Sequence, residues 1–157
     1  MYLTVHAASA LGIITFSHKP LLSLILGIIM HFLLDLIPHD PLELDQWMKK
    51  NYWSRFLTIV FIDFSALFCS LFLLNLFKPL PINWNFLAAL IGVALPDVIW
   101  GIGKIVELKI LEKFKKFHLW VHRLLWPPSD IGWPYALLIQ TATFIFFFSL
   151  FIAFIKK

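Results

Sequence analysis

Between Gly27 and Pro41 the chain reads GIIMHFLLDLIPHDP, with His31, Asp35 and His39 four residues apart and Asp40 beside the last. On a helix, residues at i and i+4 stand above one another, so these side chains form one stripe of ligand-type groups. Apart from Pro38, the residues between them are Phe, Leu and Ile. A polar ladder in an apolar helix is costly unless something binds it. Imidazole and carboxylate are the donors of zinc, manganese and iron sites. His118 and His122 repeat the four-residue spacing, and His6, Asp63 and Asp97 each stand in otherwise apolar stretches.

The elements that must position these groups are membrane helices. The 157 residues are 61% hydrophobic and 17% aromatic, with a mean hydropathy of +0.85, far from an ordinary soluble domain. Several apolar runs approach the roughly 20 residues that cross a bilayer. We expect an all-α, polytopic helical membrane protein, one embedded domain over 1–157, with about five transmembrane helices and one amphipathic interfacial helix. The spans fall at Tyr2–Phe16, Leu21–Ile37, Phe56–Phe77, Trp84–Ile102 and Pro134–Ile155. The first is rich in small residues and suits the interior of the bundle. With no positive leader, that run reads as mature structure rather than a cleaved signal. Gly103–Phe117 carries Ile105, Leu108, Leu111 and Phe114 at helical spacing beside Lys109, Lys113, Lys115 and Lys116, the pattern of a helix lying on an anionic membrane surface. The Trp residues form an interfacial belt. Cys69 is the single cysteine, so a Cys-based zinc site is excluded.

Five spans alternate sides. The side of the N-terminus, with loops 39–55 and 103–133, collects nine of the 13 Lys and Arg. The positive-inside tendency makes that face cytoplasmic. At 1.5 Å per residue, His6, His31, Asp35, Asp63 and Asp97 all fall within roughly 10 Å of that face. His39, Asp40, His118 and His122 lie just outside it, and only His18 of the six histidines lies on the other side. No Lys or Arg stands inside a predicted span, so the buried carboxylates lack the usual neutralising partner, and a divalent cation supplies one.

Each signal also has a plainer reading. His31/Asp35 is also the spacing of a hydrogen-bonded pair in a bundle, and interfacial histidines such as His118 and His122 commonly snorkel. Asp63 is also the kind of residue that holds helices together, and Asp97 beside Pro96 also suits a freed backbone group. The case for a metal rests on their convergence.

The start Thr4-Val5-His6-Ala7-Ala8, the Leu95-Pro96-Asp97 segment at a span end and the late His122-Arg123 resemble the membrane-bound metal-dependent hydrolases. In that family an N-terminal His, a Pro-Asp motif and a late His cluster are the metal ligands, which implies that role for His6, Asp97 and His122. The helical His31/Asp35 pair, with a second helical His pair, is similar to the all-helical zinc-dependent phospholipase C fold, and implies a multi-metal centre using His31 and Asp35.

The expected protein is therefore a membrane-embedded metal-dependent hydrolase, of phospholipase C or lipid phosphatase type, acting on a phosphoester of a lipid or lipid-linked substrate at the cytoplasmic interface of a prokaryotic inner membrane. The expected metal ligands are His6, His31, Asp35, His39, Asp63, Asp97, His118 and His122, holding one to three ions, zinc first, with manganese or iron as alternatives. Asp40, Asp63 or Asp97 serves as general base, and Arg55 or Arg123 holds phosphate. A bound ion would activate water near neutral pH. The rival reading is a proton or metal-ion carrier, which needs polar groups reaching both faces; the far halves of the spans are apolar apart from scattered residues such as Ser70 and Asn75. A third is a scaffold in which the cluster is a structural staple. No Gly-rich phosphate loop or nucleic-acid surface is present, and nothing indicates an oligomeric state.

Overall fold

The computed structural model describes residues 2–39, 51–106, 108–125 and 131–154. Six helices account for most of them: α1 (Leu3–Ile14), α2 (Pro20–Asp35), α3 (Tyr52–Phe77), α4 (Trp84–Ile105), α5 (Lys109–His122) and α6 (Trp133–Phe154). There is no strand among the described residues.

Local sequence explains the helix starts. Pro20 occupies the first turn of α2, where its missing N–H costs nothing. The Asn83 side chain accepts a hydrogen bond from the Phe86 N–H and caps α4. α1 begins without a cap of its own, since Tyr2 makes no side-chain cap. Its donors are met from outside: the Leu3 and Thr4 N–H groups donate to the two carboxylate oxygens of Asp63, at 2.5 and 3.0 Å. The Thr4 hydroxyl also bonds Asp63. A carboxylate on α3 thus sits at the positive end of α1, where the helix dipole favours it.

α1 is the axis of the bundle. Every residue from Val5 to Ile14 is buried, and α2, α3, α4 and α6 all pack on it. Small residues at Ala7, Ala8, Ser9, Ala10 and Gly12 make that close enclosure sterically feasible. The most extensive pairing joins α2 to α4. At its crossing a Cβ on Gly92 would stand 2.4 Å from the Leu24 carbonyl oxygen, and one on Gly27 would stand 2.7 Å from that of Ala89. Only glycine permits backbones to approach so closely.

The expected five spanning helices reduce to three that are long and apolar enough to cross a bilayer: Trp53–Phe77, Trp84–Gly103 and Trp133–Phe154. α1 and α2, at 12 and 16 residues, are apolar but short. At 1.5 Å per residue they reach about 18 and 24 Å, against a hydrocarbon core of about 30 Å. The amphipathic segment also differs from expectation. α4 runs on to Ile105, and the amphipathic helix is Lys109–His122, so that His118 and His122 lie within it. Gly103 allows this helix to fold back on α4, because a Cβ there would meet Leu111 and Lys115 at 3.2–3.3 Å. α5 turns its stripe of Leu111, Phe114, His118 and Val121 inward.

Removing Asp63 from the start of α1 should cost stability and leave the histidine cluster alone. Asp63→Ala is expected to destabilise the protein by about 1–2 kcal/mol, the worth of a good helix cap. A thermal melt beside a metal determination checks both halves, since a fall in bound metal would assign Asp63 to the cluster.

Candidate metal centre

Asp35, the last residue of α2, has a fully buried side chain, and five imidazoles surround it. On its Oδ2 converge the Nε2 atoms of His31 at 3.0 Å, His118 at 3.1 Å and His122 at 3.1 Å. On Oδ1 converge the Nε2 atoms of His6 at 3.4 Å and His39 at 3.9 Å. Asp97 closes one edge, its Oδ1 lying 3.8 Å from His31 Nε2 and 3.7 Å from His118 Nε2. Two groups of donors result: His31, Asp35, Asp97 and His118, and Asp35, His39 and His122, each with its ligand atoms within 4.8 Å of one another. Asp35 belongs to both.

These separations fit coordination. Four donors at the usual zinc distances of about 2.0–2.1 Å stand about 3.3 Å apart at the corners of a tetrahedron. In the first group each imidazole nitrogen lies 3.0–3.8 Å from the other and from both carboxylates, and all four donor atoms fall within 4.8 Å, a cage of about that size. The protonation pattern points the same way. His31 Nδ1 donates to the Val93 carbonyl at 2.8 Å, and His39 Nδ1 donates to that of Ile37. A carbonyl only accepts, so in each neutral ring the other nitrogen, Nε2, presents its lone pair to the cluster. Metal-bound histidines are held in this way. His31 Nε2 lies 3.1 Å from His118 Nε2 and its ring is stacked on that of His6, with centroids 4.4 Å apart. Neither ring nitrogen of His6 makes a hydrogen bond among the described residues, although the residue is fully buried. Its Nε2 has the Asp35 oxygen at 3.4 Å beside it, and a buried imidazole nitrogen left without a bond costs about 1–3 kcal/mol unless something binds it.

Each helix delivers its ligands for a local reason. The glycine crossing brings α4 against α2, so that the Val93 carbonyl meets His31. In the same turn Pro96 has no N–H to offer the Gly92 carbonyl and places Asp97 beside the cluster. α5 supplies two ligands one turn apart from its inward stripe. α1 contributes His6 from a face packed on its neighbours. Gln140 of α6 braces the rear: its amide N–H donates to the His39 carbonyl at 3.4 Å, and its oxygen accepts from the Tyr2 N–H at 3.0 Å. The side chain of Asp97 is 40% exposed, against 0% for Asp35 and His31, so this edge opens outward.

Seven of the expected site residues therefore meet: His6, His31, Asp35, His39, Asp97, His118 and His122. Asp63 does not join them, its carboxylate being held by the first turn of α1. Arg55 stands half-buried in the first turn of α3, and Arg123 is exposed at the end of α5, one residue beyond His122. Asp40 lies outside the described residues. Val93 and Gln140 were not expected. A main-chain carbonyl has no sequence signature, but a buried carboxamide in a 22-residue apolar helix is a visible one.

Fold and site together define a helical, membrane-type protein with a buried imidazole–carboxylate cluster that could hold metal. Comparison with protein-family models, curated proteins and solved structures finds no match to this chain.

Proposed function

We propose that this protein is a membrane-embedded metal-dependent hydrolase that cleaves a phosphoester of a lipid or lipid-linked substrate. The observation that carries the reading is the sharing of the fully buried Asp35 between two groups of imidazole donors. A carboxylate so placed suits a two-ion centre, and zinc fits the donor set best, with manganese or iron next. Divalent ions there would activate water and offset charge on the leaving oxygen.

The chain's own residues supply the rest. His31, Asp35 and His118 with Asp97 form one ligand set, Asp35, His39 and His122 the other, and His6 stacks behind His31. The half-exposed Asp97 stands where substrate enters and is the candidate to receive a proton from attacking water. Arg123, at the rim, is the candidate to engage phosphate. Counted over the three helices long enough to span, the side of the site carries ten of the 13 Lys and Arg, Lys19 now among them, which favours the cytoplasmic face for it.

The test uses the full chain in lipid nanodiscs. Elemental analysis is expected to find one to two equivalents of a transition metal. Release of phosphate or phosphorylated headgroup from nanodisc phospholipid or a polyprenyl phosphate should stop on treatment with 1,10-phenanthroline and return with added zinc or manganese. A metal-free, fully folded protein would defeat the reading.

A further inference from the structure

Beside the first turn of α1, a cleft of about 790 Å³ runs between α3 and α6. Both helices pack on α1, yet they make no extensive contact with each other. The walls are Ile59, Ile62 and Ala66 on one side and Leu137 and Phe144 on the other, with Thr4 and Val5 as floor. The hydroxyls of Thr58 and Ser70 on the α3 wall bond back to the carbonyls of Ser54 and Ala66, so they do not make the interior polar. Asp63 and Gln140 are likewise committed, to the start of α1 and to Tyr2 and His39.

We infer that this cleft holds one acyl chain of a membrane phospholipid and presents that lipid at the depth of the His/Asp cluster. Three observations identify the occupant. First, α3 and α6 are two of the three helices able to span a membrane, so a gap between them opens onto hydrocarbon. Second, its length is that of one leaflet. From Thr58 to Ser70 on α3 and from Trp133 to Phe144 on α6, the walls extend about 18 and 16 Å at 1.5 Å per residue, against about 15 Å for half a hydrocarbon core. Third, it is amphiphilic end to end. Tyr2 and Trp133 form an aromatic rim of the kind that sits at headgroup level, and Phe144 lines the far end opposite the internally bonded Ser70.

That rim lies beside the first turn of α1, and His6 follows Thr4 and Val5 of the cleft floor on the same helix. Gln140 touches both compartments: it lines the cleft and bonds the His39 carbonyl. A lipid anchored in the cleft thus has its ester region at the level of the metal ligands. The volume lies within the range of small-molecule sites, which are lined mainly by apolar groups. As an account of substrate binding the inference rests on the hydrolase reading; as a lipid site it is testable without it.

The experiment uses the full chain in nanodiscs doped with phosphatidylglycerol carrying a diazirine on one acyl chain. After illumination, labelled peptides are mapped by mass spectrometry. Label is expected to be enriched several-fold at Ile62, Ala66, Leu137 and Phe144 over the outward-facing Phe61, Phe68 and Phe72 of α3, which are 73%, 71% and 55% exposed and report ordinary lipid contact. Ala66→Trp, which fills the cleft, should remove that enrichment and leave the outer labelling and the metal content unchanged. Leu137→Trp on the opposite wall should do the same should the first variant not fold. Labelling that simply follows exposure, or enrichment that survives both tryptophans, would overturn the inference. Enrichment without lipid hydrolysis would keep the cleft and remove the hydrolase; hydrolysis with even labelling would do the reverse.

Discussion

Asp35→Asn is expected to empty the cluster of metal altogether, while Asp97→Asn empties only part of it. The asymmetry follows from position. Asp35 stands in both donor groups, and five Nε2 atoms lie within 3.9 Å of its oxygens. Asp97 stands in one group and, among the imidazoles of the described residues, approaches His31 and His118. An amide keeps the shape of Asp35 but loses its negative charge and turns an N–H₂ toward an imidazole lone pair. Loss of a ligand's outer hydrogen-bond partner alone costs about 10–100-fold in metal affinity, so loss of the shared ligand should cost at least about 100-fold. Elemental analysis across wild type, Asp97→Asn and Asp35→Asn should therefore descend in steps to near zero. A thermal melt gives an independent reading. Zinc at 100 times its dissociation constant stabilises a binding protein by about 2.7 kcal/mol, so zinc should raise the wild-type midpoint and leave that of Asp35→Asn unmoved. Wild-type zinc content in folded Asp35→Asn would remove the metal centre.

The difference between Asp35 and Asp63 shows what the chain makes legible. Both are single acids in apolar helices, and residue type alone gives them the same standing. Asp35 belongs to a stripe with His31 and His39, and helical geometry requires such groups to share a face. Asp63 has no neighbour of that kind, and its partners are two main-chain N–H groups and the Thr4 hydroxyl some 60 residues away, which no local side-chain pattern announces. The interior position of α1 was readable from its small residues, because close approach needs them. The number of spans was not, because hydropathy does not distinguish a helix sheathed by protein from one sheathed by lipid. α1 is apolar and buried by its neighbours, whereas α3 is apolar and largely exposed. The register of α5 was missed for a related reason. Its inward stripe continues from Leu111 and Phe114 through His118 to Val121, and only the packing against α4 at Gly103 reveals that the histidines close the stripe.

The glycine crossing yields the second large effect, at a distance from any ligand atom. Gly92→Ala is expected to weaken both the fold and the metal centre, because the new methyl would stand 2.4 Å from the Leu24 carbonyl oxygen, 3.1 Å from Gly27 Cα and 3.2 Å from the Ile28 nitrogen. All three are backbone atoms and none can swing aside, so α2 and α4 must part. Overpacking of this kind costs about 1–3 kcal/mol, and more when backbone must move. The displacement bears directly on the site. His31 is on α2, one turn beyond Gly27, while Val93 and Asp97 are on α4; parting the helices stretches the 2.8 Å bond that holds the His31 ring and withdraws Asp97 from its donor group. A misplacement of about 1 Å at a reacting centre can cost roughly 100-fold in rate. Gly101→Ala on the same helix is the matched control, since a Cβ there meets nothing within 4 Å. That change should be neutral or stabilising by up to about 1 kcal/mol, the helix-propensity difference between the two residues. Zinc titrations and melts of the two variants in nanodiscs separate the effects: Gly92→Ala is expected to lose affinity and midpoint together, and Gly101→Ala neither. Equal behaviour of the two would show that the α2–α4 approach does not set the geometry of the cluster.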